Sequence, residues 1–308
     1  MIPEYTSFHG HTKVSIVSAP RSPEWGAQSA VGQGPDIGGA SLFPTAFRTL
    51  PAELADSYRI LGDYAGALRA VADHPALDPS HKEARLKAVA RAIEGADDFE
   101  AGDTAARAAL NLRHLLESRD LDIQDPWQML QAAGQDIRKT AYPDWSDLLS
   151  WCRFWAAPMG RMAFSLAGGS DHGLARAESF AIAIELLYLI EQAPTQHRWL
   201  GRVYLPSRWF KEAECAASEL AGGSSTDGLN RVFARTIGEA RKLLSVSAGL
   251  HRHLPTRRLR VAMATAQGEA GAWARSLARA DPLRGPARPD RGARLMASLA
   301  GTLRGLAR

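Results

Sequence analysis

The sequence predicts an all-α fold, a bundle of about ten helices around an apolar centre, and three observations support it. Successive segments space their apolar residues three and four apart, which gathers them on one face of a helix. Runs that alternate apolar and polar, the mark of a half-buried strand, are almost absent. Residues 180–190, FAIAIELLYLI, are apolar on nearly every face, as a helix surrounded by others must be.

Residues 1–40 come first. Their stretch SAPRSPEWGAQSAVGQGPDIGGAS is rich in Gly, Pro, Ser and Ala and cannot bury enough surface to order itself, so a loosely packed or disordered tail is expected. The folded domain is expected over 41–308. Its first long helix is LPAELADSYRILGDYAGALRAVAD (50–73), stopped by the proline-marked HPALDPS. SHKEARLKAVARAIEG and DTAARAALNLRHLLES are amphipathic helices with Ser80 and Asp103 as expected N-caps, since a short oxygen-bearing side chain there accepts from the first-turn N–H groups. DPWQMLQAAGQDIRKT, DWSDLLSWCRFWAAPMG and GLARAESFAIAIELLYLIEQ continue the pattern. SRWFKEAECAASEL, TDGLNRVFARTIGEARKLLSVSAGL and TRRLRVAMATAQGEAGAWARSLARA complete it.

Composition narrows the function classes. Apolar residues are 45% of the 308, enough for a sizeable core. Cys152 and Cys215 are too few for a disulfide framework, so a reducing cytoplasm is the expected setting. The opening MIPEYTSFHGHTKVSIV lacks the cationic lead and apolar run of a signal peptide. No stretch reaches the roughly 18 apolar residues of a membrane span. A soluble protein, or one peripheral on the inner membrane face, is expected. The net charge of +4 is unevenly placed, with twelve arginines from His251 to Arg308 against Glu269, Asp281 and Asp290. Such a bias suits solvated helix faces, an anionic membrane surface or an acidic partner. Nucleic acid is not an expected partner, because these arginines are not interleaved with aromatics and no binding motif is present.

Several segments, in order, resemble one family. QDIRKTAYPDWSDLLSWCRFWAAPMGRM (135–162) resembles the D-x-x-K-x-x-Y…W-x-x-L…Y-C-x-x-x-A-x-P-V-G-R region of bacterial squalene/phytoene synthases, most nearly the hydroxysqualene synthases of hopanoid pathways. GRVYLPSRWF resembles the segment after their second aspartate motif, VADHPALDPSHKEARL the tail of their first, and LFPTAFRTLP their N-terminal F-P…L-P segment. The resemblance spans roughly residues 41–300. It implies an isoprenoid-synthase-type bundle around a deep apolar cavity, with two aspartate-rich motifs on facing helices. In that family magnesium, held by those motifs, binds the diphosphate of a prenyl substrate and neutralises the leaving group.

The resemblance also locates departures. The first motif, D-D-x-x-D, falls on Arg69 to Asp73, so Asp73 is the one aspartate left as a residual metal ligand. The second, D-x-x-x-D, falls on Gln192 to Gln196, with Pro194 expected to kink or end the helix. Glu185 and Tyr188 stand where the family has Gln and Asn facing the cavity, and Glu185 is the nearest carboxylate for one cation. By the same resemblance the substrate site takes Lys139, Tyr142, Trp151, Arg153, Gly160, Arg161, Arg202 and Tyr204 besides Arg69, Asp73, Glu185, Tyr188, Gln192 and Gln196. Arg69, Lys139, Arg153, Arg161 and Arg202 are candidate direct cations for a diphosphate. No catalytic residue is singled out.

Other clusters carry less. GADDFEAGD (95–103) lies in a helix connection away from the first motif and reads as a solvated loop. HRH at 251–253 reads as a helix end, and GGSDHG (168–173) as a turn, since the G-x-S-x-G pattern is not met. Cys152 reads as core; Trp145, Trp151 and Trp155 read as core or as cavity wall.

The expected function is therefore a divergent member of this family in squalene and hopanoid (isoprenoid) metabolism, non-catalytic and without magnesium, binding a prenyl lipid or a paralogous synthase. The alternative is an active synthase that converts presqualene diphosphate to hydroxysqualene with a reduced or metal-independent diphosphate site. A scaffold on a membrane surface is a third class.

Overall fold

The computed structural model describes residues 44–306 apart from 101 and 286; the tail expected over residues 1–40 lies outside them. Among the described residues the all-α prediction holds. Eleven α-helices form: α1 (Pro44–Arg48), α2 (Ala52–Ala72), α3 (Pro79–Ile93), α4 (Thr104–Ser118), α5 (Gln124–Arg138) and α6 (Trp145–Leu166). They continue with α7 (Leu174–Leu200), α8 (Ser207–Glu212), α9 (Asp227–Val246), α10 (Arg257–Leu277) and α11 (Arg291–Leu306).

The centre is α7. Residues 182–190 are all buried, so a helix apolar on every side is enclosed on every side, as its composition requires. It packs on α6 and α9, while α2 lies against α4, α5 and α6. Asp103 caps α4 as expected, its carboxylate accepting from the N–H groups of Ala105 and Ala106.

Three expectations need correction. The cap of α3 is Asp78 rather than Ser80: Pro79 fits the first helical position, and the Asp78 carboxylate accepts from the His81 N–H and from the Ser80 hydroxyl. Pro194 does not end α7, which runs on to Leu200; the missing N–H removes one bond of a long helix held by packing along its length. SRWFKEAECAASEL is not one helix. It breaks after Glu212, where Glu214 takes a positive φ of 51°, and resumes as a short 3-10 turn at Ala217–Ala221. Helix α11 went unanticipated, because its alanines, glycines and serine gave little apolar periodicity on the face that packs.

Beyond α7 the chain is turned by Gly201, left-handed at φ 61°, and enters an extended segment. There Val203 N donates to Thr140 O at 2.8 Å and Ser207 N to Tyr142 O at 2.8 Å. This parallel contact docks residues 202–207 beside the α5–α6 connection and brings Arg202 and Tyr204 to the ends of α2 and α5.

Candidate functional site

Arg69, in the last turn of α2, and Glu185, midway along α7, form an ion pair at 2.5 Å. Both side chains are buried, 6% and 9% exposed. The guanidinium also lies 4.4 Å from the ring centre of Trp155 and 5.2 Å from that of Tyr188, within cation–π range. Burial opposes the charge on Arg69, and Glu185 above all, with Tyr188, Tyr204 and Asp73, outweighs it and holds the pKa above that of an ordinary arginine. The two helices that the resemblance placed face to face do face each other. What joins them is a cation and a carboxylate.

A second network adjoins it. Arg202 Nη1 bonds Asp73, and Nη2 donates to the backbone oxygen of Asp136 at 2.6 Å. The Tyr204 hydroxyl donates to Asp136 Oδ2 at 2.6 Å and the Tyr142 hydroxyl to Oδ1 at 3.1 Å. The two phenol rings stack at 5.2 Å. Burial pushes the Asp136 carboxyl up to about 7, against Arg202 and the Tyr204 hydrogen bond, which favour its ionised form. Asp136 opens the D-x-x-K-x-x-Y stretch quoted above; that motif is its signal, although within it only Lys139 and Tyr142 are among the candidate residues.

A second α7 carboxylate near this end of the helix is also engaged. Glu191 accepts from the Trp273 indole at 2.8 Å and pairs with Arg288 at 2.9 Å. Thus Asp73, Glu185 and Glu191 each have their own arginine.

Next to the Arg69–Glu185 pair opens an apolar cavity of about 200 Å³. Trp155, Glu185 and Tyr188 line it at the ion-pair end; Phe164, Phe180 and Met263 are among its apolar lining. Helix α10 forms one wall with Leu259, Ala262, Met263 and Ala266, and α1 another with Ala46 and Phe47. Arg258 ties the two walls together, donating to the backbone oxygens of Thr49 and Leu50 at 2.5 and 2.7 Å.

The other candidate residues divide. Trp151 is core, packed between Trp155 and Tyr204 at 5.9 and 4.5 Å. Trp145 stacks on Trp209 instead, outside the cavity lining. Lys139 sits 4.3 Å over the Tyr142 ring and 3.5 Å from Asp147. Arg161 is held by Asp125, Gln128 and Glu178, a clamp across α5, α6 and α7. Arg153 is solvent-exposed on the far side of its helix from buried Trp151 and Trp155, so the structure does not bring it to the others. Gly160 touches the cavity but is also a helix-crossing point, where a Cβ would meet Ala177 O at 2.6 Å. Gln192 is half-buried and Gln196 buried. Cys152 is buried and free.

Magnesium takes near-octahedral oxygen ligands and is usually bound through unpaired carboxylates. Here the carboxylates on α7 and at the end of α2 are committed to guanidinium groups. No three His, Cys, Asp or Glu side chains come together as a metal cluster among the described residues. The donor set does not fit the ion. The Nε atoms of Arg69 and Arg202 and the Trp151 indole nitrogen are buried without an acceptor among the described residues. None of these three side chains is among the cavity lining, and as donors they offer nothing to a cation. No helix of the described residues is long and apolar enough to cross a membrane.

Comparison with known proteins agrees with this architecture. The family description Squalene/phytoene synthase matches residues 38–293. Hydroxysqualene synthase of Rhodopseudomonas palustris is 25% identical over 213 residues, 69% of this chain and 71% of that protein. Hydroxysqualene synthase of Sinorhizobium fredii is 24% identical over 214 residues, 70% of this chain and 71% of that one. Among solved structures, a dehydrosqualene synthase in complex with ligand superposes with a TM-score of 0.70 at 15% identity, over 86% of this chain and 92% of its own, a likeness of fold. With a match that runs from before α1 into α11, the chain belongs to the squalene/phytoene synthase family.

Proposed function

We propose that this family member serves isoprenoid metabolism of the hopanoid kind by holding a prenyl lipid in its apolar cavity, without magnesium-dependent turnover. One observation carries the reading: the buried Arg69–Glu185 pair at the cavity's polar end. A fixed cation stands where the family's first aspartate motif begins, and its partner carboxylate is neutralised by it. A magnesium–diphosphate headgroup there would meet Arg69 as a like charge to the metal. The apolar lining suits a hydrocarbon chain, whose burial is favourable by about 25 cal/mol per Å² of apolar surface.

A second reading, an active synthase acting on presqualene diphosphate, is favoured by the hydroxysqualene synthases among the relatives. The guanidinium of Arg69 beside the cavity also favours it, since arginines can bind phosphate directly. The test separates the two. The chain is incubated with presqualene diphosphate, with and without magnesium, and released diphosphate and extracted hydroxysqualene are measured. In parallel, farnesol binding is followed by quenching of tryptophan fluorescence. Saturable quenching with no product supports lipid holding. Product formed at many turnovers per chain establishes the synthase reading instead.

A further inference from the structure

Helix α11 shows two opposite faces. One is made of small residues: Ala297, Ser298, Gly301 and Gly305 are buried against α10. A Cβ on Gly301 would lie 2.5 Å from Ala264 O, and one on Gly305 2.7 Å from Val261 Cα, so the two helices touch backbone to backbone. The other face is Leu295, Met296, Leu299, Leu303 and Leu306, each at least 40% exposed. At 3.6 residues per turn these five fall within an arc of about 100°. Large apolar side chains gathered so, on a helix already seated by its other face, form a surface without a partner among the described residues.

Charge decides what covers it. Helix α11 has no Asp or Glu between Arg291 and Leu306, and Arg291 and Arg304, both exposed, fall on the two flanks of the apolar arc. The antiparallel contact of α10 and α11 brings Arg304 toward Arg252 and Arg260 around His251, whose charge burial first, and then these three arginines, disfavour against the Gln267 hydrogen bond. A second copy meeting this face about a two-fold axis would bring these cations against their own duplicates. An anionic, apolar surface meets both features at once.

We propose that α11 docks the protein on an anionic lipid bilayer, with Leu295, Met296, Leu299, Leu303 and Leu306 inserted at the headgroup boundary and Arg291 and Arg304 against the phosphates. Helix α10 then lies between bilayer and cavity, one face lining the cavity with Leu259, Ala262, Met263 and Ala266, the other carrying α11. Docking thus sets the apolar cavity one helix away from a source of lipid.

The full chain is mixed with vesicles of phosphatidylcholine alone or with one third phosphatidylglycerol, and the bound fraction is measured by sedimentation. Binding to the anionic vesicles is expected, at least fivefold weaker on the neutral ones, and released by half-molar salt. Leu299→Gln with Leu303→Gln is expected to weaken it at least tenfold with an unchanged Tm, since both side chains are exposed. Arg291→Gln with Arg304→Gln is expected to remove the preference for anionic lipid while leaving residual binding. The proposal is overturned if the full chain ignores both vesicles, or if neither pair of changes alters binding. It is also overturned if sedimentation velocity shows a dimer that the leucine changes dissociate, which assigns the face to a second copy.

Discussion

Replacing Arg69 by methionine removes the cation from the buried pair and leaves Glu185 charged among Trp155, Tyr188 and the apolar cavity wall. Methionine fills most of the arginine stem, so packing changes little and the loss is electrostatic. Removing one partner of a buried ion pair costs about 3–5 kcal/mol, because the other charge stays desolvated and uncompensated. For a domain of this size each kcal/mol is worth roughly 2–4 °C, so Tm should fall by about 6–20 °C. Changing both partners, Arg69→Met with Glu185→Leu, should recover most of the loss, since an apolar pair of similar volume carries no stranded charge. Urea unfolding read through tryptophan fluorescence suits the purpose, because Trp151 and Trp155 lie under the guanidinium. A single variant within about 1 kcal/mol of the parent, or a double variant no better than the single, would refute the pairing.

Asp136 should make stability depend on pH. Its folded carboxyl sits at about 7 against an ordinary value of 3.8, so the folded state holds a proton that the unfolded chain gives up. Its contribution is complete below about pH 4, declines as pH rises and is lost above about pH 7. Asp136→Asn should remove that decline in urea unfolding run from pH 4 to 8; an unchanged slope would place the titration elsewhere. Gly160→Ala puts a methyl 2.6 Å from Ala177 O and 2.8 Å from Ala181 Cβ, forcing α6 and α7 apart. A loss of about 1–3 kcal/mol is expected in thermal unfolding, and an unchanged Tm would mean the crossing has slack.

The fold was legible because helical periodicity is a local property: α2, α4, α9 and α10 show it in their own residues, and so does the enclosed α7 run. Helix α11 was not, since its packing face is built from Ala, Ser and Gly, and only the approach of α10 explains it. The site was half legible. Motif alignment named Arg69, Asp73, Glu185, Arg202 and Tyr204, all of which meet in space. It did not show that Arg69 pairs with Glu185 over 116 residues of chain, or Arg202 with Asp73 over 129. In the sequence the lost charges leave a gap in a metal site; three-dimensional pairing turns the gap into a filled salt-bridge network. Lys139 and Arg153 show the converse: a basic residue near a motif need not face the cavity, because helix phase and local partners decide where it points.

The central claim is that the carboxylates of α2 and α7 are taken by arginines and that ligand binding in the cavity owes nothing to magnesium. The most direct measurement is titration calorimetry of the full chain with farnesyl thiodiphosphate, a poorly hydrolysed prenyl diphosphate, in millimolar magnesium and in excess chelator. The account predicts dissociation constants that agree within about threefold, about 0.7 kcal/mol. A magnesium-dependent gain of tenfold or more, about 1.4 kcal/mol, would contradict it and mean that the salt bridges open to admit the ion.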